Sequence, residues 1–190
     1  MARSRSFDYQ VAVQAAQELF WEHGYAAVSL PDLQRATGLS RSSLYAAFGN
    51  KRGIYEEAAQ SYLRDVIGPL LAPMEVPGSG AAQIAGFFIA MALVMRSPDS
   101  RIAKRGCFML NMLMEVEELD QQADSMVRRY RARVHAAMMN ALASMPEVAH
   151  RSSRADMLTA SHLGIVAMAR IDPGGAARAS ETIAHDVERW

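Results

Sequence analysis

Hydroxyl-bearing and cationic residues are concentrated between Thr37 and Tyr55, in the stretch TGLSRSSLYAAFGNKRGIY. Three serines and three basic residues surround two tyrosines and one phenylalanine there. Such polar groups hydrogen-bond to phosphate oxygens and to the edges of bases. A segment that only built a core would not need them, and one that only solvated a surface would not need the aromatic residues. The composition therefore predicts one packed face and one ligand-contacting face.

Capping residues divide this region into short helices. Ser29 can cap the first, with Asp32 at the capping-box position, and Gly38 ends it. Ser40 caps the next helix, residues 41 to about 48, which a Gly-Asn pair then ends. A longer amphipathic helix precedes both. Two short helices joined by a tight turn and braced by a third predict a helix-turn-helix, whose second helix enters the DNA major groove.

The second short helix can divide its side chains between core and DNA. Leu44 and Phe48 are four residues apart, so they share an inward face. Free backbone N–H groups at the starts of the neighbouring helices favour phosphate. The outward side chains and helix starts give the predicted DNA contacts: Ser29, Arg41, Ser42, Ser43, Tyr45, Asn50 and Lys51.

A helix-turn-helix outline is common in helical proteins, and serine caps often only cap. Charge favours the functional interpretation, because residues 1–53 hold six Lys or Arg against four Asp or Glu while the whole chain has no net charge. The single cysteine fits a reducing cytoplasm. The longest apolar run, about a dozen residues from Ile84, is short of the roughly 20 that span a bilayer. We therefore expect a cytoplasmic protein without a membrane segment.

Strand signals are weak, and we predict an all-α chain. The first long helix should stop near Gly24, and a helix over 51–67 should connect the DNA-binding domain, residues 1–53, to a second domain, residues 54–190. A linker rich in Pro and Gly should follow. Further predicted helices span 81–96, 100–117, 120–145, 153–170 and 175–188.

Residues 9–62 resemble the amino-terminal domain of the TetR family of transcriptional regulators. The resemblance rests on LFWEHGYAAVSL and LQRATGLSRSSLYAAFGNK, and the YAAFGNK version with the later RGCFMLN is similar to a subset of the family. It implies that Ser29, Arg41, Ser42, Ser43, Tyr45 and Lys51 contact DNA. It also implies a carboxy-terminal effector pocket and a homodimer, through helices 153–170 and 175–188, on a pseudo-palindromic operator.

The segment from Gly106 to Val116 is apolar nearly all round, which predicts a central buried helix. Its exceptions, Asn111 and Glu115, are either core polar groups satisfied by neighbouring helices or polar anchors in an apolar ligand cavity. Abundant methionines would give either a core or a pocket soft walls. The predicted effector contacts are Phe87, Met91, Cys107, Asn111, Met114, Glu115 and Tyr130.

Three features keep two interpretations. Cys107, beside Lys104 and Arg105, is either a reactive thiol or a small buried hydrophobe. Arginines 128, 129, 131 and 133 form a solvated face paired with acids such as Glu117, Glu118 and Asp120, or a second nucleic-acid patch. His162 is expected as a satisfied histidine of the dimer interface, with a ligand contact as the alternative.

Enzyme signatures are absent: the sequence has no Gly-rich phosphate loop and no His/Cys metal spacing. We therefore expect no enzyme, metal or cofactor. The sequence favours a ligand-responsive repressor, released from DNA by a small apolar effector. The alternatives are a constitutive DNA-binding regulator without a pocket and a thiol or electrophile sensor acting through Cys107. The operator, the regulated genes and the effector do not follow from the sequence.

Overall fold

The computed structural model describes residues 8–115 and 121–190, and all regular elements within those ranges are helices. The all-α prediction is confirmed. The helices are α1 (Tyr9–Ala27), α2 (Leu30–Thr37), α3 (Arg41–Phe48), α4 (Lys51–Tyr62), α5 (Gly68–Glu75), α6 (Ala81–Arg96), α7 (Arg101–Arg105), α8 (Phe108–Met114), α9 (Gln121–Ala143), α10 (Arg151–Met168) and α11 (Pro173–Val187).

Helix α1 is interrupted where the sequence predicted its end. The Asp8 carboxylate caps its start by accepting the Gln10 and Val11 N–H groups at 3.0 and 3.3 Å. Gly24 then adopts φ 79°, in the left-handed region, and breaks the helix before its last residues. One side of α1 packs along α4, so α1 braces the two short helices.

The predicted linker begins later than expected. A π-helical turn, Leu63–Ile67, joins α4 to α5, and the chain stays helical to Glu75. Pro69 does not end the helix because it lies in the first turn of α5, where a missing N–H is tolerated. Helices α4 and α5 therefore form one continuous connection between the amino-terminal and carboxy-terminal helices.

The predicted helix over 100–117 is wrong as a single element. Gly106, with φ 76°, separates α7 from α8, and residues 116 and 117 lie outside the described ranges. Helix α6 agrees with its prediction, and α9, α10 and α11 lie within two residues of theirs. Helix α11 packs along α6, and α9 contacts α5, α8 and α10.

One continuous core joins the two predicted domains. The Trp21 indole N–H donates to the Gly106 carbonyl at 2.8 Å, and the Phe108 ring centre lies 5.4 Å from that of Tyr55 and 5.6 Å from that of Tyr62. Within the described residues no single helix has both the length and the apolar character to cross a membrane. Only the pair Ala81–Arg96 and Arg101–Met114 would qualify together, and it is bent by 73°.

Candidate DNA-binding surface and effector cavity

Reciprocal caps fix the first helix-turn-helix element. The Ser29 hydroxyl oxygen accepts the Asp32 N–H at 3.4 Å, and the Asp32 carboxylate accepts the Ser29 N–H at 2.8 Å. Hydrogen bonds from Ser29 also lower the pKa of Asp32. Gly38 follows with φ 69°, and the Ser40 hydroxyl then caps α3 through the Ser43 N–H at 3.1 Å. Local capping therefore sets the angle between α2 and α3.

Helix α3 has one buried and one exposed side. Leu44 and Phe48 are 4% and 9% exposed and pack with the buried Leu33. On the other side Arg41 and Ser42 are exposed, and Ser43 is half-buried. Tyr45 is 43% exposed, with the Arg41 guanidinium carbon 5.6 Å from its ring centre. This side presents a cation, hydroxyls and a phenol to the surroundings.

The start of α4 lies beside this surface. The Asn50 side-chain oxygen accepts the Gly53 N–H at 2.9 Å and so caps the helix. The Lys51 ammonium lies 4.3 Å from the centre of the Tyr25 ring. Helix N-termini carry a partial positive charge, which this cation reinforces. The seven predicted DNA contacts thus lie on α3 and on the starts of α2 and α4.

A second candidate site is a cavity of about 20 Å³ among the carboxy-terminal helices. A space of this size holds about one water, so the cavity is closed. It is lined by Tyr62, Ile67, Leu70, Met91, Val94, Met95, Ile102, Cys107, Tyr130, His162 and Val166. Apolar walls with a few polar groups are typical of a small-molecule site.

A chain of polar contacts crosses the cavity wall. The Tyr62 hydroxyl donates to the Cys107 sulfur at 3.5 Å, and that thiol lies 4.0 Å from the Tyr130 oxygen. The Tyr130 hydroxyl lies 2.7 Å from His162 Nε2, while His162 Nδ1 lies 3.2 Å from the Met91 sulfur. Burial lowers the pKa of His162 to about 4, and it raises the pKa values of both tyrosines. All three groups are therefore neutral at pH 7.

The predicted effector contacts fall into two places. Met91, Cys107 and Tyr130 line the cavity, and the Phe87 ring lies 5.2 Å from that of His162. Asn111, Met114 and Glu115 instead line an open cleft of about 570 Å³ near the break in α1. The Gly106 break separates the two groups, because it starts a new helix after the cavity wall.

Two polar residues in the cleft have partners on neighbouring elements. The Asn111 amide donates to the Arg105 carbonyl at 2.9 Å, and the Glu115 carboxylate accepts the Tyr25 N–H at 2.9 and 3.1 Å. These contacts are those expected of satisfied polar groups between helices. Met114 is 84% exposed.

Sequence reasoning missed two cavity residues. His162 is 3% exposed and lies inside the protomer, so its placement in a dimer interface is wrong. Its signal was an isolated imidazole in an otherwise apolar helix segment. Tyr62 gave no local signal, because its role depends on Cys107, which lies 45 positions later.

The arginines of α9 have acidic partners. Arg128 pairs with Asp124, Arg131 with Asp156 and Arg133 with Glu75, at 2.6, 3.3 and 2.7 Å. The acids named from the sequence, Glu117, Glu118 and Asp120, lie outside the described residues. Among the residues described, no group of three or more His, Cys, Asp or Glu could hold a metal ion.

One face of α10 and α11 carries small and apolar residues. Ala160, Gly164 and Ala167 are exposed on α10, as is Met157 at 49%. An open groove on this face, about 630 Å³, is lined by Arg154, Met157, Ser161, Ile183, Asp186, Arg189 and Trp190.

Comparisons with known proteins agree with this geometry. The chain is 32% identical over 115 residues to the uncharacterized HTH-type transcriptional regulator YezE of Bacillus subtilis, covering 60% of this chain and 58% of the relative. It is 36% identical over 110 residues to the HTH-type transcriptional repressor ComR of Escherichia coli, covering 57% and 51%. The match thus spans little more than half the length of these relatives.

A solved structure shares the fold of nearly the whole chain. The TetR family transcriptional regulator CifR, a cysteine mutant bound to 26-base-pair operator DNA, superposes with a TM-score of 0.75 at 22% identity, covering 99% of this chain and 98% of CifR. Names of regulators agree with the expectation that the chain is not an enzyme. Residues 12–58 match the family of bacterial regulatory proteins called tetR, and the chain belongs to the TetR family.

Proposed function

We propose that this protein is a homodimeric transcriptional repressor that binds a pseudo-palindromic operator and is released by a small effector. The observation that carries the proposal is the exposed side of α3, flanked by the capped starts of α2 and α4. Named repressors among its relatives support it. A bacterial regulator of this kind works at the chromosome, so the proposal also locates the protein in the cytoplasm.

The DNA-contacting residues have distinct roles in this proposal. Arg41, Ser42, Ser43 and Tyr45 face base edges and phosphates from α3. Ser29 and Asn50 offer the N–H groups of the helices that they cap to phosphates, and Lys51 adds a positive charge. We retain residues 1–53 as the DNA-binding domain and 54–190 as the sensing and dimerising domain, although they share a core.

The effector site is the closed cavity, which must open to admit a ligand. Its apolar walls favour a small apolar or aromatic molecule, and the Tyr130–His162 pair offers it a hydrogen bond. Phe87, Met91, Cys107 and Tyr130 stay effector contacts in this proposal. Asn111, Met114 and Glu115 lie in the outer cleft and are contacts only for a ligand that reaches the break in α1.

DNA binding is tested in two steps. Fragments that the protein retains from its host genome are sequenced, and duplex binding is then measured against salt. Lys51→Ala should reduce the salt slope by about one and weaken all sequences. Arg41→Ala should cost about 1–3 kcal/mol at particular base pairs. Lys104→Ala, which removes an exposed charge from α7, is the control. Unchanged binding by both headpiece variants would refute the proposal.

Dimerisation through α10 and α11 is tested by two matched glycines. Gly164 on α10 and Gly86 on α6 both have open space where a Cβ would stand, so either position accepts a side chain within the protomer. Gly164→Glu should separate the dimer, because it buries charge between subunits. Gly86→Glu should leave the dimer intact. Light scattering at micromolar concentration that shows a monomeric wild type would contradict the proposal.

A thiol sensor is the second candidate, supported by the position of Cys107 in the cavity wall beside two tyrosine hydroxyls. Its thiol would add across the double bond of an electrophile such as N-ethylmaleimide, forming a sulfur–carbon bond while its proton passes to the neighbouring carbon. N-ethylmaleimide should then release wild type, and not Cys107→Ser, from the retained DNA. Equal behaviour of both proteins would end this candidate.

A further inference from the structure

Helix α8 is a short connection between the cavity and the headpiece, which we define as residues 9–53. It starts directly after Cys107 in the cavity wall and ends before Glu115, against the break in α1. Seven helical residues span about 10 Å, so the two sites are close. The Phe108 side chain is buried between Tyr55 and Tyr62. Movement of α8 therefore affects both sites.

The contact at the far end of α8 is specific to a carboxylate. Both Glu115 oxygens accept the Tyr25 N–H, and the Tyr55 hydroxyl donates to one of them at 3.5 Å. Hydrogen bonds to a charged acceptor are stronger than those between neutral groups. Gly24 leaves the space for this contact, because any Cβ there would collide with the carboxylate.

The same backbone segment carries the ring that supports Lys51. The Tyr25 ring centre lies 4.9 Å from that of Tyr55 and 6.2 Å from that of Phe20. The Lys51 ammonium lies 4.3 Å from the Tyr25 ring centre, an arrangement in which the ring attracts the cation. The Glu115 carboxylate thus reaches a proposed phosphate contact through one residue.

We propose that Glu115 is a positioning residue of the DNA-binding surface. Its carboxylate holds Tyr25 at the break in α1, and Tyr25 in turn orients Lys51. An effector that opens the cavity displaces the start of α8, draws Glu115 away from Tyr25 and releases Lys51. The inference rests on the proposed function and adds the contact through which the sensing helices control the headpiece.

The first arm of the test measures the tie itself. Glu115→Gln keeps the side-chain shape and removes the charge, and Glu22→Gln is the matched control. Glu22 pairs with Arg105 at 2.9 Å in the same cleft but does not contact Tyr25. Amide hydrogen exchange at Tyr25 should be faster in Glu115→Gln and unchanged in Glu22→Gln. Unchanged exchange in both variants would overturn the inference.

The second arm measures binding to the retained genomic fragments. Glu115→Gln should weaken binding about tenfold, the ratio expected for a lost charge-assisted hydrogen bond. Combined with Lys51→Ala, it should cause little further loss, because it acts through Lys51. Tyr25→Leu keeps the backbone N–H and removes the ring, so it should weaken binding without faster exchange.

The outcomes separate this inference from the proposed function. Additive losses in the double variant, or wild-type affinity in Glu115→Gln, would overturn the inference while wild-type binding upholds the function. Absence of salt-dependent binding by the wild type would overturn both. A thermal unfolding curve for each variant guards against loss of folding, and Tyr25→Leu decides the second arm if Glu115→Gln does not fold.

Discussion

The DNA-binding surface and the effector cavity are assembled in opposite ways. The predicted DNA contacts all lie between positions 29 and 51, and each is placed by a cap or a turn within a few residues. The polar wall of the cavity takes Tyr62, Met91, Cys107, Tyr130 and His162 from separate helices. A surface built from neighbouring residues can be recognised in a sequence, whereas a cavity built from distant ones needs the packing of those helices.

The two regions also differ in charge and solvent. The headpiece presents exposed cations beside hydroxyls, which suits a polyanion. The cavity holds neutral polar groups in an apolar setting, where each must find a partner. Substitutions in the headpiece should therefore change DNA affinity more than stability, while those in the cavity should change stability more than DNA affinity.

The largest expected effect tests the packing beneath the DNA surface. Leu33 is fully buried with Leu44 and Phe48, and Leu33→Ala should lower the free energy of unfolding by about 2–5 kcal/mol. Leu158→Ala in α10 should cost a similar amount. Only Leu33→Ala should also reduce DNA affinity below the unfolding transition. Equal DNA affinities of the two variants, followed by urea denaturation, would contradict the separation of roles.

The second effect concerns pH and the cavity. The folded pKa of His162, about 4, lies below its unfolded value of 6.5, so the unfolded chain binds a proton that the folded protein excludes. This stabilisation is complete above pH 6.5. It should fall by about 1.4 kcal/mol per pH unit between 6.5 and 4, roughly 3 kcal/mol in all.

Urea unfolding of wild type and His162→Gln across this pH range isolates the contribution of His162, because the carboxylates titrate in both proteins. The pH slope of His162→Gln should be smaller by the amount given above. Parallel curves for the two proteins would show that His162 does not titrate as burial implies.

A smaller effect compares two tyrosine hydroxyls. Tyr130→Phe removes the partner of a buried imidazole and should cost about 1–3 kcal/mol of unfolding free energy, with DNA affinity unchanged. Tyr45→Phe, at an exposed position, should leave stability unchanged and weaken DNA binding. Thermal unfolding and fluorescence anisotropy measure the two quantities. The reverse pattern would assign the wrong role to each region.

The smallest effect is expected on α9. Arg128 and Arg131 pair with Asp124 and Asp156 on the protein itself, so replacing both arginines by alanine should leave the salt slope of DNA binding unchanged. Lys51→Ala, measured beside them, should reduce it by about one. A reduced slope for the α9 variant would show that DNA extends beyond the headpiece.

The sequence alone determined the helical class, the two short helices and their caps. These depend on local hydrogen bonds and on a spacing of three or four residues, both of which can be read along the chain. Ser29, Ser40 and Asn50 cap the helices that the sequence assigned to them. The TetR resemblance rested on the same segment.

Tertiary structure decided which polar residues meet. Asn111 and Glu115 follow Cys107 by only four and eight positions, yet the left-handed conformation of Gly106 turns α8 away from the cavity and brings Glu115 to Tyr25. His162 lies beside Tyr130 because α10 packs on α9 inside the protomer. Neither contact is encoded by periodicity. Both depend on a backbone angle and a helix packing that only the folded chain fixes.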